Sequence, residues 1–505
     1  MARVSRGPMA FRSGSMKNVI SSLLPIPRFV EPPEDVRLPH ARKVFPLRNL
    51  HFRDIKALGF DMDYTLSHYR SPEIDELAYR HSVRLLVRER GYPAWLLDTR
   101  FDPAFAIRGL VLDGVRGNLL KLDSSRQVVR ACHGRRPMAR EAIDQTYGRR
   151  RVVASGVGFR SVDTLFEIPE CHLYAVLVDG NDEGRITGKD CFQIFQDVRW
   201  AVDSAHRNGE MKAEILANRE LYILQDPQLP AALDRWKRAG KKLFILSNSE
   251  WAFTDGVLRF LLDGKDPARP NWMDYFDLVV VSAHKPGFFQ ESAAPAPLPG
   301  QNKVFMGGNA LWLEDSLQTF GEEVMYVGDH IYGDILRSRK NVSWHTLLLI
   351  PELATTLEQL EEQAGELQDF VRFETVRRKS ELHISLLEDK LRRNHEHRRL
   401  LAPRLSPEAL QAMDQETSRV KEELEAAKTR MEVEKKVLAQ LDNRLESAFN
   451  PLWGSIFRDG YQQTRFADQI QQYACAYTGR ISNLYLVDPT TALYAPVPTL
   501  PHERI

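Results

Sequence analysis

The chain offers almost no cysteine chemistry. Its four cysteines, Cys132, Cys171, Cys191 and Cys475, are scattered over 505 residues without a CxxC pair or metal-ligand spacing. That argues against a disulfide framework or a zinc site and fits a reducing compartment. Long apolar runs are missing too: no stretch approaches the ~18 to 20 residues of a membrane span. Net charge is nearly absent, with 69 basic against 68 acidic residues and a balance of +1. Neither a membrane nor a nucleic acid is therefore expected as a partner, and any phosphate recognition has to be local. What remains, 43% hydrophobic and 27% charged, is an ordinary soluble composition, long enough for about two to four domains.

The first thirty residues lack acidic side chains but carry Arg3, Arg6, Arg12, Lys17 and Arg28, the composition of an organelle transit peptide. Pro25, Pro27, Pro32 and Pro33 interrupt any amphipathic helix early. A basic, disordered tail over 1–44 on a cytoplasmic protein is thus the favoured expectation, with organelle import as the alternative.

The chemistry gathers at four strand ends. The first is Phe60-Asp61-Met62-Asp63-Tyr64-Thr65-Leu66, preceded by the apolar run Ile55, Ala57, Leu58, Gly59. It reads as a strand delivering two aspartates from its carboxyl end, where ligands sit in open α/β sheets. Two carboxylates two residues apart, one for covalent attack and one for proton transfer, suit phosphoryl transfer with a shielding Mg²⁺. A strand closed by an Asx turn would look the same. The second strand, Leu243 to Leu246, ends in Ser247-Asn248-Ser249, which can bind phosphate oxygens or cap a helix. The third, Leu278 to Val281, leads to Lys285, a cation for a phosphate or a plain surface lysine. The fourth, Val324 to Val327, ends in Gly328-Asp329-His330-Ile331-Tyr332-Gly333-Asp334, whose carboxylates suit a hard, oxygen-seeking cation. Each is ambiguous alone; four in the order one mechanism requires are not coincidence.

The order Asp-x-Asp-x-Thr, Ser, Lys, acidic motif resembles the haloacid dehalogenase superfamily. Closer still, Phe60 to Leu66, Arg108-Gly109-Leu110-Val111, Gly117 to Lys121, Thr164-Leu165-Phe166, Phe195 to Arg199, Gly328 to Leu336, Trp453-Gly454-Ser455, Gln463 to Ala467 and Pro501-His502-Glu503 resemble the cytosolic purine 5′-nucleotidase family, IMP/GMP-preferring. The resemblance implies an α/β fold, a Rossmann-like haloacid dehalogenase core with a large cap inserted between the first and second motifs. It implies a phosphoric monoester hydrolase acting on nucleoside 5′-monophosphates, with phosphotransfer to another nucleoside as a further activity. Asp61 would be the nucleophile and Asp63 the general acid/base. Mg²⁺ would be held by Asp61, the backbone carbonyl of Asp63 and Asp329, with Asp334 in support. Ser247, Asn248, Ser249 and Lys285 would bind phosphate, and Phe166, Arg199, Asp203, His206 and Lys212 the nucleoside. Arg199 and Asp203 also fit a simple i, i+4 surface pair.

Two departures matter. Glu167 stands where the family usually has an amide, which would put a negative charge near the nucleotide, and Arg207 stands where an aromatic is usual. They keep alive a phosphatase of the same fold acting on another metabolite. A weakly active interaction protein is the remaining alternative. The stretch Arg149 to Phe159 lacks acidic residues, so no effector site carries over.

The series Leu410, Met413, Thr417, Val420, Leu424, Ala427, Met431, Glu434, Leu438, Leu441, Leu445 steps by three and four through five heptads. Ser406-Pro407 is a start signal, and a helical pattern from about Thr355 to His397 can fold back on it. Both an intrachain hairpin and a homo-oligomer contact follow from such a surface. The expected layout is core over 45–90 and 213–350, cap over 91–212, helical hairpin over 351–448, and a segment packing on the core over 449–505.

Overall fold

The computed structural model describes residues 39–148 and 150–497; most of the basic N-terminal segment, Arg149 and the Pro501-His502-Glu503 motif lie outside them. The strand Ala57–Phe60 is buried along its whole length, as expected for an apolar strand covered on both faces of a parallel sheet. It pairs in parallel with Lys242–Leu246 on one side and Val324–Gly328 on the other. Outward on the first side lie Leu278–Val281 and Val304–Gly307; on the second lie His345–Leu349 and Ala476–Thr478, all parallel. Antiparallel strands Pro295–Pro297 and Phe45–Pro46 close the two edges, giving nine strands among the described residues.

The chain leaves Ala57–Phe60 toward one edge and later returns to its other flank. Strand order therefore reverses beside this strand, and the crevice that such a reversal opens lies at its carboxyl end, where Asp61 sits. This is the Rossmann-like α/β core expected from the motif order. Leu243, Phe244 and Ile245 are fully buried next to it, each such side chain stabilising the fold by ~1.5 to 3 kcal/mol.

The helix Glu73–Arg90 follows the periodicity of its sequence and stops at Gly91, whose φ of +68° caps it with an N–H to the Leu86 carbonyl. After it a second sheet forms, antiparallel, from Arg136–Pro137, Val128–His133, Asn118–Leu122, Val111–Asp113 and Phe159–Ser161. The helices Ile168–Asp182 and Cys191–Arg207 join it. The first of these is buried over nearly all its length, so it has no polar face and no amphipathic signature to read in sequence.

The helices Ala364–Leu401 and Pro407–Phe449 form an antiparallel hairpin. Ser406 caps the second, its Oγ accepting from the Ala409 N–H at 3.3 Å. Six of the expected heptad positions, Val420, Leu424, Ala427, Leu438, Leu441 and Leu445, are buried, against Ile384, Leu387 and Phe370 of the first helix. The polar Glu434 in the seam accepts a hydrogen bond from Ser380 on Oε1 at 3.0 Å, while its Oε2 is buried without a partner. At the root, Glu446 is buried beside Lys121, 3.5 Å from its Nζ, which also donates to the Trp453 and Arg458 carbonyls at 2.6 and 2.7 Å. Among the described residues no helix is long and apolar enough to cross a membrane.

Gly59 lies under the Phe244 ring: a Cβ there would stand 2.2 Å from the ring's Cζ. Gly59→Ala should therefore destabilise the fold by about 1 to 3 kcal/mol, the usual overpacking cost, read as a lower denaturant midpoint at unchanged slope. An unaltered midpoint would mean that the ring has room to move.

Candidate active site

Sheet register sets the site. Asp61 follows directly on the central strand, its N–H bonded to the Val327 carbonyl at 2.9 Å. Asp329 follows directly on the neighbouring strand Val324–Gly328. Between them Gly328 allows close approach: a Cβ would stand 2.4 Å from an Asp334 carboxylate oxygen. Asp334 arrives on a turn of π-helix, Ile331–Leu336, a wound form frequent at functional sites. One carboxylate oxygen from each of Asp61, Asp329 and Asp334 falls within 4.8 Å of the others.

Lys285 is buried among them, its Nζ 2.9 Å from Asp61 and 2.7 Å from Asp334, and it donates to the Tyr326 hydroxyl at 2.8 Å. Burial alone would lower its pKa, but Asp334 and Asp61 raise it, so it stays charged. One ammonium does not balance the carboxylates. Burial, only partly offset by Lys285, raises Asp61 to about 7, and burial with the neighbouring Asp334 and Asp61 raises Asp329 well above the carboxylate range. An excess of buried negative charge on hard oxygen donors fits a divalent cation such as Mg²⁺.

Asp63 is held by two hydroxyls, Tyr69 on one oxygen and Ser249 on the other at 2.8 Å. Burial raises its pKa despite both bonds. Asn248 clamps the lysine's backbone, accepting from the Lys285 N–H at 2.6 Å and donating to its carbonyl at 3.1 Å. Asp61, Asp63, Asn248, Lys285, Asp329 and Asp334 line one cavity of about 360 Å³ with Phe166, Thr164, His330 and Tyr332. That size suits a small ligand.

A family model for the 5′ nucleotidase family matches residues 44–505. The chain belongs to the 5′ nucleotidase family. Similar proteins include a 5′-nucleotidase domain-containing protein of Dictyostelium discoideum, 30% identical over 91% of this chain and 74% of its own. The 5′-nucleotidase domain-containing protein 2 of Homo sapiens is 28% identical over 64% of this chain and 65% of its own. Among solved structures, a β-phosphoglucomutase from Clostridium difficile is 14% identical over 60% of this chain and 88% of its own, at a TM-score of 0.23. So slight a likeness carries no argument; the fold rests on strand order. The activity that goes with the family is that of a nucleotide phosphatase.

In this nucleotidase the expected residues fall into two groups. Besides the cavity-lining set, Ser247 is fully buried, its Oγ accepting from the Ser249 N–H at 3.1 Å, so it shapes the turn. His206 meets the Phe166 ring edge-on at 5.3 Å. Burial lowers its pKa to about 4, and its Nε2 is buried without a partner. Lys212 pairs with Glu250 and lies 5.3 Å over the Phe253 ring. Arg199 and Asp203 do not line the cavity; they pair with each other, and Arg199 with the buried Glu170 at 2.9 Å. That is the i, i+4 pair left open by the sequence.

Glu167 corrects an expectation. Its carboxylate turns back on its own helical turn, accepting from the Asp163 N–H at 2.8 Å and pairing with Arg160. Its charge is compensated there and is not aimed at the cavity. Arg207 is exposed, bonded to the Asp203 carbonyl at 3.1 Å. Sequence reasoning assigned no role to Tyr69, Tyr326, Thr164 or Arg108; the tyrosines look like core aromatics, and Thr164 and Arg108 carried only the family likeness.

Without a divalent cation, folded Asp61 binds a proton up to about pH 7, whereas an unfolded aspartate lets go near pH ~4. The stability it contributes is full below ~4 and is lost as pH rises through about 7. The melting temperature of metal-free protein should therefore fall from about pH 5.5 to 7.5, and Asp61→Asn should flatten that slope. An equal slope in the variant would disprove the assignment.

Proposed function

We propose that the chain is a Mg²⁺-dependent purine nucleoside 5′-monophosphatase, IMP/GMP-like in preference, working through an aspartyl-phosphate. The reading is carried by one observation: Asp61, Asp63, Lys285, Asp329 and Asp334 converge on one cavity with an aromatic ring, Phe166, in its wall. Asp61 and Asp329, with the Asp63 backbone carbonyl, would hold Mg²⁺, and Asp334 would support them through Lys285. When bound, Mg²⁺ offsets phosphoryl charge and lets one anion approach another.

An Asp61 oxygen attacks phosphorus in line, and the bond from phosphorus to the ribose 5′-oxygen breaks. Asp63, whose raised pKa favours the acid form, gives its proton to that oxygen. The same carboxylate then takes a proton from water. The water oxygen attacks phosphorus, the acyl-phosphate bond breaks, and Asp61 returns as carboxylate with orthophosphate released. Lys285 steadies charge on the phosphoryl oxygens. A nucleoside hydroxyl in place of water would give phosphotransfer. A cytoplasmic location and a homo-oligomer complete the proposal.

Purified protein with Mg²⁺ should release phosphate from IMP and GMP faster than from AMP or UMP. Asp61→Asn should lose at least a thousandfold in kcat, of the order seen when a nucleophile is removed. Phosphate release from none of the four would sink the substrate class, and an active Asp61→Asn would sink the mechanism. Because Glu167 is compensated within its own turn, Glu167→Gln should leave KM for IMP within about twofold. A tenfold fall in KM would mean that its charge does reach the nucleotide.

A further inference from the structure

Two of the three clustered carboxylates owe their placement to Lys285, which pairs with Asp61 and Asp334. The side-chain hydrogen bonds to Asp329 come from elsewhere. Thr164 Oγ1 donates to its Oδ2 at 3.2 Å, and Arg108 Nη1 donates to its backbone carbonyl at 3.2 Å. Both donors belong to the long insertion between the first and second motifs, far from Asp329 in sequence. Both are buried, Arg108 at 1% exposure and Thr164 at 9%.

Arg108 is fixed by more than this contact. Its Nη2 is 2.6 Å from Glu352, and its guanidinium lies 4.9 Å over the Phe466 ring. Neighbouring Gly109, at φ +93°, brings the backbone so close that a Cβ would stand 2.7 Å from the Phe466 Cβ. Thr164 is fixed as the first residue of the turn that carries Leu165, Phe166 and Glu167. Neither donor is free to drift.

We propose that Thr164 and Arg108 are positioning residues for the cation: the insertion orients Asp329 as a ligand, in addition to covering the cavity. A carboxylate free to rotate binds a small octahedral cation poorly, and partners that orient a ligand are worth about 10 to 100-fold in affinity. The threonine hydroxyl engages one Asp329 oxygen, which limits rotation of the carboxylate. The proposal rests on the Mg²⁺ reading above.

The test is the dissociation constant of Mg²⁺ alone, titrated calorimetrically into full-length protein freed of divalent cations. Thr164→Val keeps the shape and removes the hydroxyl. It should raise the constant about tenfold with the apo melting temperature within a few degrees of wild type, and Thr164→Ser should restore it. Arg108→Lys, which keeps the charge but loses the fork, should weaken binding in the same direction. Wild-type affinity in Thr164→Val overturns the positioning role while leaving the metal site standing. A constant raised equally in Thr164→Ser and Thr164→Val also overturns it, since the hydroxyl then does not matter. No uptake of Mg²⁺ by wild type overturns the metal reading and this proposal together.

Discussion

The first three motifs of the site meet at one buried ammonium. Lys285 sits between Asp61 and Asp334; removing one member of such a buried pair typically costs ~3 to 5 kcal/mol, because the partner is left charged and unpaired. The backbone that delivers it is unusual, with Ser282 at φ +48° and His284 at φ +57°, a region non-glycine residues rarely occupy. Asn248 bonds to both the N–H and the carbonyl of Lys285. The second and third motifs are thereby locked to each other. The lysine cannot shift without carrying the loop after Leu246 along.

The arrangement is deliberately short of positive charge. Lys285 is one positive charge against the three carboxylates of Asp61, Asp329 and Asp334. Asp61 and Asp329 therefore hold protons more tightly than ordinary aspartates, and binding of the proposed cation would be an exchange that releases them.

Much of this was legible in sequence because chemistry sat at the ends of strands. The four apolar runs ending in Asp61, Ser247, Lys285 and Asp329 could be ordered along the chain, and the helix Glu73–Arg90 with its Gly91 stop was plain from periodicity and a breaker. The hairpin seam followed from heptads and the Ser406 cap. The helix Ile168–Asp182 was illegible because full burial leaves no pattern. The fate of Glu167 and Arg199 was illegible for another reason: charge can be read from sequence, but its partner cannot. Glu167 found Arg160 and two backbone N–H groups, and Arg199 found Glu170, through folding of segments seven and twenty-nine residues apart. Tyr69 and Tyr326 needed three dimensions for the same reason, since their rings belong to the core and only their hydroxyls to the site.

The insertion enters the chain between two strands that are immediate partners in the sheet, Ala57–Phe60 and Lys242–Leu246. The ladder that aligns the reacting groups therefore has no rung inside the inserted segment. Drift in the insertion can reshape what is admitted to the cavity while the strand register that sets the carboxylates stays as it was. Lineages built on this plan are free to change their diet without relearning their chemistry, so long as the inserted segment keeps its few grips on the sheet.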